Sequence, residues 1–390
     1  MTITMIRILN LMNISSFKSG KLQQRLEYKS FEPTLINEEW HLDNDAVALL
    51  LSQADQKLGE LNAFSKLVPD VNFFIKMHIA KEATVSSKIE GTQTSLDEAL
   101  LPEMEIDPEK RNDWVEVQNY VSAINYSISE LQKIPLSIRL VKDTHKVLLS
   151  SVRGFSKLPG EIRRSQNWIG GSNLKDAVFI PPHHEDLPEM LSDLERFWYN
   201  KDLNIPEIVK IAISHYQLET IHPFLDGNGR IGRLLIVLHF VSTGILQSPT
   251  LYISEYFEKN RNQYYDALSR VRKTNDMEHW IRFFITGILE TAKNARETLE
   301  KIIDLRKKYE VLIESGMGVK RQKLGKELLK YLFSQPVVTI RDIESKLSVT
   351  FPTASAIADD FERLGMFTEK TGRRKDRIFY LKEYLDLFTK

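Results

Sequence analysis

Between His222 and Arg233 the chain reads His-Pro-Phe-Leu-Asp-Gly-Asn-Gly-Arg-Ile-Gly-Arg. One imidazole, one carboxylate, one amide, three glycines and two arginines fall within these twelve residues. Such a density of polar chemistry fills a hydrophobic core poorly and suits the holding of a polyphosphate. Glycine reaches left-handed backbone angles at little cost, so the N–H groups around Gly227, Gly229 and Gly232 can converge on an anion. A helix beginning there adds the positive end of its dipole. The forked donors of Arg230 and Arg233 match phosphate oxygens. The Asp226 carboxylate is of the kind that holds Mg²⁺ beside phosphates.

The flanking residues place this run in a turn between two helices. Pro206 to Thr220 has proline in its first turn and Ile208, Ile211, Ala212, His215 and Leu218 recurring on one face. Arg230 to Thr243 is strongly apolar through Leu234, Leu235, Val237, Leu238 and Val241, and Gly244 fits as its stop. His222 then ends one helix, and Gly229 to Arg233 open the next. His215, on a largely apolar face, reads as a hydrogen-bonded core histidine.

The run resembles the signature of the Fic family, His-Pro-Phe-x-Asp-Gly-Asn-Gly-Arg-x-Gly-Arg, at every specified position. Typical members transfer AMP from ATP to a hydroxyl side chain of a target protein. The resemblance implies His222 as general base, Asp226 as Mg²⁺ ligand, and ATP held by Gly227, Asn228, Gly229, Arg230, Ile231, Gly232 and Arg233. That assignment is chemically sound. A neutral imidazole can take the proton of a weakly nucleophilic hydroxyl, and the developing phosphate charge needs donors already in place.

Ser86-Ser87-Lys88-Ile89-Glu90-Gly91 fits a second family pattern, Ser/Thr-x-x-x-Glu-Gly/Asn. There it resembles an inhibitory helix whose Glu pairs with the second arginine of the signature. The resemblance implies that Glu90 pairs with Arg233 and so displaces the γ-phosphate, with Ser86 as the other fixed position. Phe73 to Gly91 is predicted as a helix ending at Gly91, which leaves Glu90 at an end able to protrude.

Elsewhere the reading is coarser. The 390 residues suffice for two or three domains, with 42% hydrophobic and 27% charged residues as in a soluble globular protein. A formal net charge of zero implies no general affinity for nucleic acid or anionic membrane. The absence of cysteine excludes disulfides, thiolate metal sites and cysteine nucleophiles. Met1 to Leu11 reads as an untargeted, frayed terminus, and no segment approaches the roughly 20 apolar residues needed to span a bilayer. The expectation is a cytoplasmic protein without membrane association.

The expected fold is mainly α: a Fic-type helical core with a small β-hairpin flap, followed by a winged-helix domain. The expected boundaries are 1–110 for an N-terminal helical region with the inhibitory helix, 111–290 for the Fic core, 291–318 for a connecting helix and 319–390 for the winged-helix-like domain. Ser15 to Trp40 reads as polar and irregular. Gly154 to Pro182 is a Gly/Pro-rich break in which Ala177 to Ile180 forms one arm of the flap. Ile180 is the candidate for registering a target's backbone by strand addition. His183-His184-Glu185-Asp186 reads as a solvated loop and helix entry rather than a metal site. The segment Glu255 to Tyr265 resembles the part of Fic proteins that closes the adenine pocket, with Asn260 as a polar contact. Tyr264 and Tyr265 either border the purine or pack between helices.

Three helices and a basic turn at Thr371 to Lys375 end the chain. Lys370, Arg373, Arg374, Lys375 and Arg377 could touch DNA phosphates, but Asp359, Asp360 and Glu362 on the third helix oppose entry into a groove. Protein docking is equally compatible. The function expected is a protein adenylyltransferase using ATP and Mg²⁺ on a Ser, Thr or Tyr hydroxyl of a target protein, restrained by Glu90. The alternatives are a de-AMPylating enzyme and a nucleotide-sensing transcription regulator. Apolar helical surfaces are compatible with a homodimer.

Overall fold

Helices carry most of the chain, as the periodicity of apolar residues demands. The computed structural model describes residues 11–67, 71–150, 156–373 and 376–389. Met1 to Asn10, Gly154, Arg374 and Lys375, all named above, lie outside the described residues. None of the described helices is long and apolar enough to cross a membrane.

The chain divides into two compact units that interleave in sequence. The first comprises residues up to Gly59 together with Asn119–Pro249 and Ile253–Thr291. The second comprises Glu60–Gln118, Thr250–Tyr252 and Ala292–Lys390. Three long helices contribute to both: α1 (Asp45–Leu67), α4 (Arg111–Glu130) and α11 (Met277–Gly316). The sequence places the end of the core at residue 290 and a separate connecting helix at 291–318. The two run together as one helix of 40 residues, which Gly287 does not break and no proline interrupts.

In the first unit, α7 (Glu207–Ile221) is the central element. Every residue from Ile208 to Ile221 is buried, so this helix is enclosed on all sides rather than amphipathic. It packs between α6 (Leu187–Tyr199) and α8 (Asn228–Ser242). The Trp280 indole donates to Ala212 O at 2.8 Å and ties α11 to the same helix.

The stretch read as irregular, Ser15 to Trp40, contains an antiparallel hairpin. Strand β2 (Gly20–Gln24) pairs with β3 (Lys29–Pro33), Leu22 opposite Phe31. Two short flanking strands, β1 (Leu11–Asn13) and β4 (Glu39–His41), pair in parallel. Phe17, Phe31, Ile36 and Trp40 anchor the segment in the core. The expected flap hairpin is reduced to one bridge between Ile169 and Phe179. Its turn is closed by Gly170 and Gly171, both at positive φ, and by Asp176 accepting from the N–H groups of Ser172 and Asn173. The Phe31 N–H donates to Ile180 O at 2.9 Å, so β3 lies on the other side of this segment.

The second unit holds α2 (Val71–Ile89), the short α3 (Leu96–Ala99) and the C-terminal residues. There α12 (Val319–Leu332), α13 (Ile340–Leu347) and α14 (Phe351–Arg363) accompany a three-stranded sheet. Its order is β5 (Val337–Thr339), β7 (Ile378–Tyr380), β6 (Thr368–Glu369). A last helix, α15 (Lys382–Thr389), sets Phe388 against Phe74 and His78 of α2. Three described basic residues between β6 and β7 are engaged within the unit. Lys370 pairs with Asp97 at 2.7 Å, Arg373 with Glu105 at 2.9 Å and Arg377 with Asp359 at 3.0 Å. Asp360, nearly buried, pairs with Arg321 and Arg363.

Candidate active site

The turn from His222 to Asn228 is held mainly by side chains that hydrogen-bond its backbone groups. His222 ends α7 in the left-handed conformation (φ 50°, ψ 61°), with its N–H donating to Leu218 O. That conformation costs a non-glycine residue about 1 kcal/mol and persists only where its surroundings impose it. Here they do. The Arg163 side chain donates to His222 O at 2.9 Å, and the Arg163 N–H donates to Pro223 O at 2.9 Å. The Asn167 amide donates to Phe224 O at 2.9 Å. Asn228 closes the turn on itself, accepting from Phe224 N–H at 2.8 Å and donating to Phe224 O at 2.9 Å. Asn228 is therefore a buried structural clasp, 3% exposed.

His145 holds the other side. Gly160 N–H donates to His145 Nδ1 at 2.8 Å, which leaves the proton on Nε2 to donate to Asp226 O at 2.9 Å. The imidazole stacks on Phe224 with ring centroids 3.8 Å apart. Burial lowers its pKa to about 4, so it stays neutral and keeps this tautomer.

Gly227 then caps α8 at φ 75° with no side-chain cap on the helix end. A helix whose N-cap has no side chain leaves its first N–H groups for a ligand, at the positive end of the dipole. Asp226 stands at this mouth with its side chain 49% exposed, 3.8 Å from the Arg230 guanidinium. Arg230 and Arg233 themselves are 4% and 1% exposed. The turn thus brings together His222, Asp226, Gly227, Gly229, Arg230 and Arg233, with Ile231 buried behind them.

Gly232 serves packing. A Cβ there would collide with Glu219 Oε1 and stand 3.3 Å from His215 Cε1 on α7. His215 is the core histidine expected, bound to Gly232 O at 3.0 Å and to the Tyr264 hydroxyl at 2.9 Å. Gly232→Ala should therefore lower stability by about 1–3 kcal/mol through overpacking. Chemical denaturation of the variant beside wild type measures it, and an unchanged midpoint would show that the α7–α8 contact has slack.

Other expected residues are placed differently. Tyr264 is 1% exposed and stacks on Phe257 at 4.4 Å, so of the two tyrosines it is the packing one. Tyr265, 41% exposed, is the one on the surface. Asn260 joins α9 (Ser254–Lys259) to α10 (Arg261–Thr274), its amide donating to Tyr256 O at 2.9 Å. The Ile180 carbonyl already accepts from the Phe31 N–H of β3. In the second unit, Ser86 is fully buried in α2, and Glu90 is exposed in the turn that follows Ile89. Among the described residues no three His, Cys, Asp or Glu side chains cluster as a metal site, the His183–Asp186 segment included. Arg163, Asn167 and His145 were not legible as site residues, because their roles lie in bonds to carbonyls distant in sequence.

Two family models match the chain. The Fic/DOC family N-terminal model matches residues 48–129, and the Fic/DOC family model matches residues 135–240. The curated protein adenylyltransferase Fic of Aedes aegypti is 30% identical over 254 residues, 62% of this chain and 46% of that protein. Its namesake from Drosophila yakuba is 30% identical over 201 residues, 50% of this chain and 37% of that protein. The chain thus spans less than half the length of these curated relatives. A crystal structure of a Fic family protein from Desulfovibrio desulfuricans G20 shares the fold, with TM-score 0.54 at 17% identity over 87% of this chain and 97% of that one. With the signature turn intact and both family models matched in order, residues 48–240 carry a Fic/DOC family N-terminal domain followed by a Fic/DOC family domain.

Proposed function

We propose that this protein transfers AMP from ATP to a Ser, Thr or Tyr hydroxyl of a target protein, restrained by Glu90. The observation that carries the reading is the uncapped α8 N-terminus, set directly behind a left-handed His222 and flanked by Arg230 and Arg233. In this reading the phosphates of ATP lie on the N–H groups of Asn228 to Arg230 and on the two guanidiniums. The target oxygen attacks the α-phosphorus, and its proton passes to the His222 imidazole. The new P–O bond forms as the bond to the β-phosphate's bridging oxygen breaks, and pyrophosphate leaves. Charge growing on the phosphate oxygens meets donors already oriented. The curated relatives named protein adenylyltransferase support this assignment.

The donor set at Asp226 fits Mg²⁺. An exposed carboxylate oxygen beside a phosphate cradle is the usual protein share of such a site, the phosphates supplying the rest. A bound Mg²⁺ would neutralise phosphate charge there. Asp226→Ala should therefore weaken Mg²⁺-dependent ATP binding and slow transfer by about 100-fold, an effect of the size seen for single electrostatic groups. Calorimetric ATP titrations with and without Mg²⁺ check this; an unchanged Mg²⁺ dependence would remove Asp226 from that role.

No observation favours the transcription-regulator alternative, since Lys370, Arg373 and Arg377 are already paired with carboxylates. Incubation with α-³²P-ATP, Mg²⁺ and cell lysate tests the main reading. Label on protein, lost with His222→Ala, is the expected result. Absence of label from wild type and from Glu90→Gly alike would overturn it.

A further inference from the structure

Among the described residues, no carboxylate forms an ion pair with the buried cation Arg163. It is 2% exposed, and its four side-chain hydrogen-bond acceptors are all backbone carbonyls. Nε donates to His222 O at 2.9 Å. Nη2 donates to Pro182 O at 2.6 Å and reaches Ile221 O at 3.4 Å. Nη1 donates to Ser165 O at 3.1 Å. Burial lowers its pKa to about 10, a sign of how much solvation the guanidinium has given up.

Burying a charge in this way is costly, and a helix C-terminus can be closed far more simply by glycine in the left-handed position. What the guanidinium adds is geometry. Its planar fork fixes several acceptors at set angles, which a flexible ammonium cannot do. The acceptors belong to three separate pieces of chain. Ile221 and His222 are the end of α7 and the site histidine. Ser165 and Pro182 stand on either side of the Ile169–Phe179 bridge, one at each root of the flap. The backbone of Arg163 and the amide of Asn167 complete the pattern, so the carbonyls of residues 221, 222, 223 and 224 are each held by a donor from the 163–167 segment.

We infer that Arg163 is a positioning residue that locks the left-handed His222 to both roots of the flap and so sets the place of the base. Arg163 touches neither ATP nor target in this arrangement. The inference rests on the reading of His222 as the base, and its physical half, the locking of His222, stands apart from that reading.

The experiment uses the full chain with Arg163→Gln and Asn167→Ala. Selective ¹³C,¹⁵N-histidine labelling reads the backbone shifts of His222 directly. Autolabelling with α-³²P-ATP reads transfer, and calorimetry reads ATP affinity. Arg163→Gln should move the His222 Cα and C′ shifts out of the left-handed range. It should slow transfer by about 100-fold, the size expected when a reacting group is misplaced by about 1 Å. ATP affinity should stay within about threefold of wild type. Asn167→Ala should show the same split with about a tenfold loss, and it decides the matter if Arg163→Gln does not fold. Left-handed His222 shifts retained in the variants would overturn the inference, even in a protein that transfers no label. So would transfer within about threefold of wild type, or ATP affinity and melting temperature falling in step with transfer, which a merely structural arginine would produce.

Discussion

If the proposed function holds, His222→Ala should yield a folded protein that binds ATP and transfers AMP at least about a thousandfold more slowly than wild type. Proton transfer by a positioned side chain is typically worth 10²–10⁴-fold, and His222 carries the imidazole of the turn. The contacts of this residue with Arg163, Asn167 and Leu218 use its backbone. Removing the imidazole leaves those bonds, and alanine bears the left-handed angle at a cost like that of histidine. The phosphate-binding groups belong to other residues, so ATP affinity survives while turnover falls, the signature of an interaction made in the transition state. Autolabelling, ATP calorimetry and thermal melting of the same preparation separate these effects. Transfer near the wild-type rate from a folded His222→Ala protein would end the assignment of His222 as base.

The site was legible in the sequence where its determinants are local. The twelve-residue run specifies its own turn, because glycine, the N-terminal helical dipole and the Asn228 clasp act within a few residues of one another. The flanking helices announced themselves by periodicity, and His215 by its apolar neighbours. The misses share a different cause. The hairpin of β2 and β3 has no clean alternation, and its pairing is fixed by Phe31 reaching the 177–180 segment far along the chain. Tyr264 and Tyr265 are adjacent and chemically alike; only the packing of α10 against Phe257 and His215 distinguishes them. Arg163 reads as one more surface cation until its carbonyl acceptors are known. The basic residues of the β6–β7 turn look like a phosphate-binding patch, but Asp97, Glu105 and Asp359 neutralise three of them from elsewhere in the second unit. Locally coded chemistry was readable; chemistry assembled from distant segments was not.

Glu90→Gly should raise activity, against the usual direction of mutation. Glu90 is exposed just beyond the end of α2, and Gly91 follows it at φ 108°. A second glycine there removes a side chain without breaking a helix interior, so the cost in stability is small. In the proposed restraint the Glu90 carboxylate and the γ-phosphate compete for the same forked donors on Arg233. Arg233 is 1% exposed, and a buried guanidinium is strongly committed to whichever anion it holds. With the carboxylate gone, the γ-phosphate takes that place and aligns the α-phosphorus with the incoming hydroxyl. Alignment of reacting groups can supply several kcal/mol of barrier lowering, so a gain of about tenfold or more is expected. The gain must run through Arg233. In the Glu90→Gly, Arg233→Ala double variant it should vanish, which is the non-additivity expected of residues sharing one partner. Autolabelling with α-³²P-ATP across wild type, the two single variants and the double variant measures it. If Glu90→Gly labels no faster than wild type, the Ser86 to Gly91 segment is no restraint. If the gain persists without Arg233, the carboxylate acts elsewhere than on that arginine.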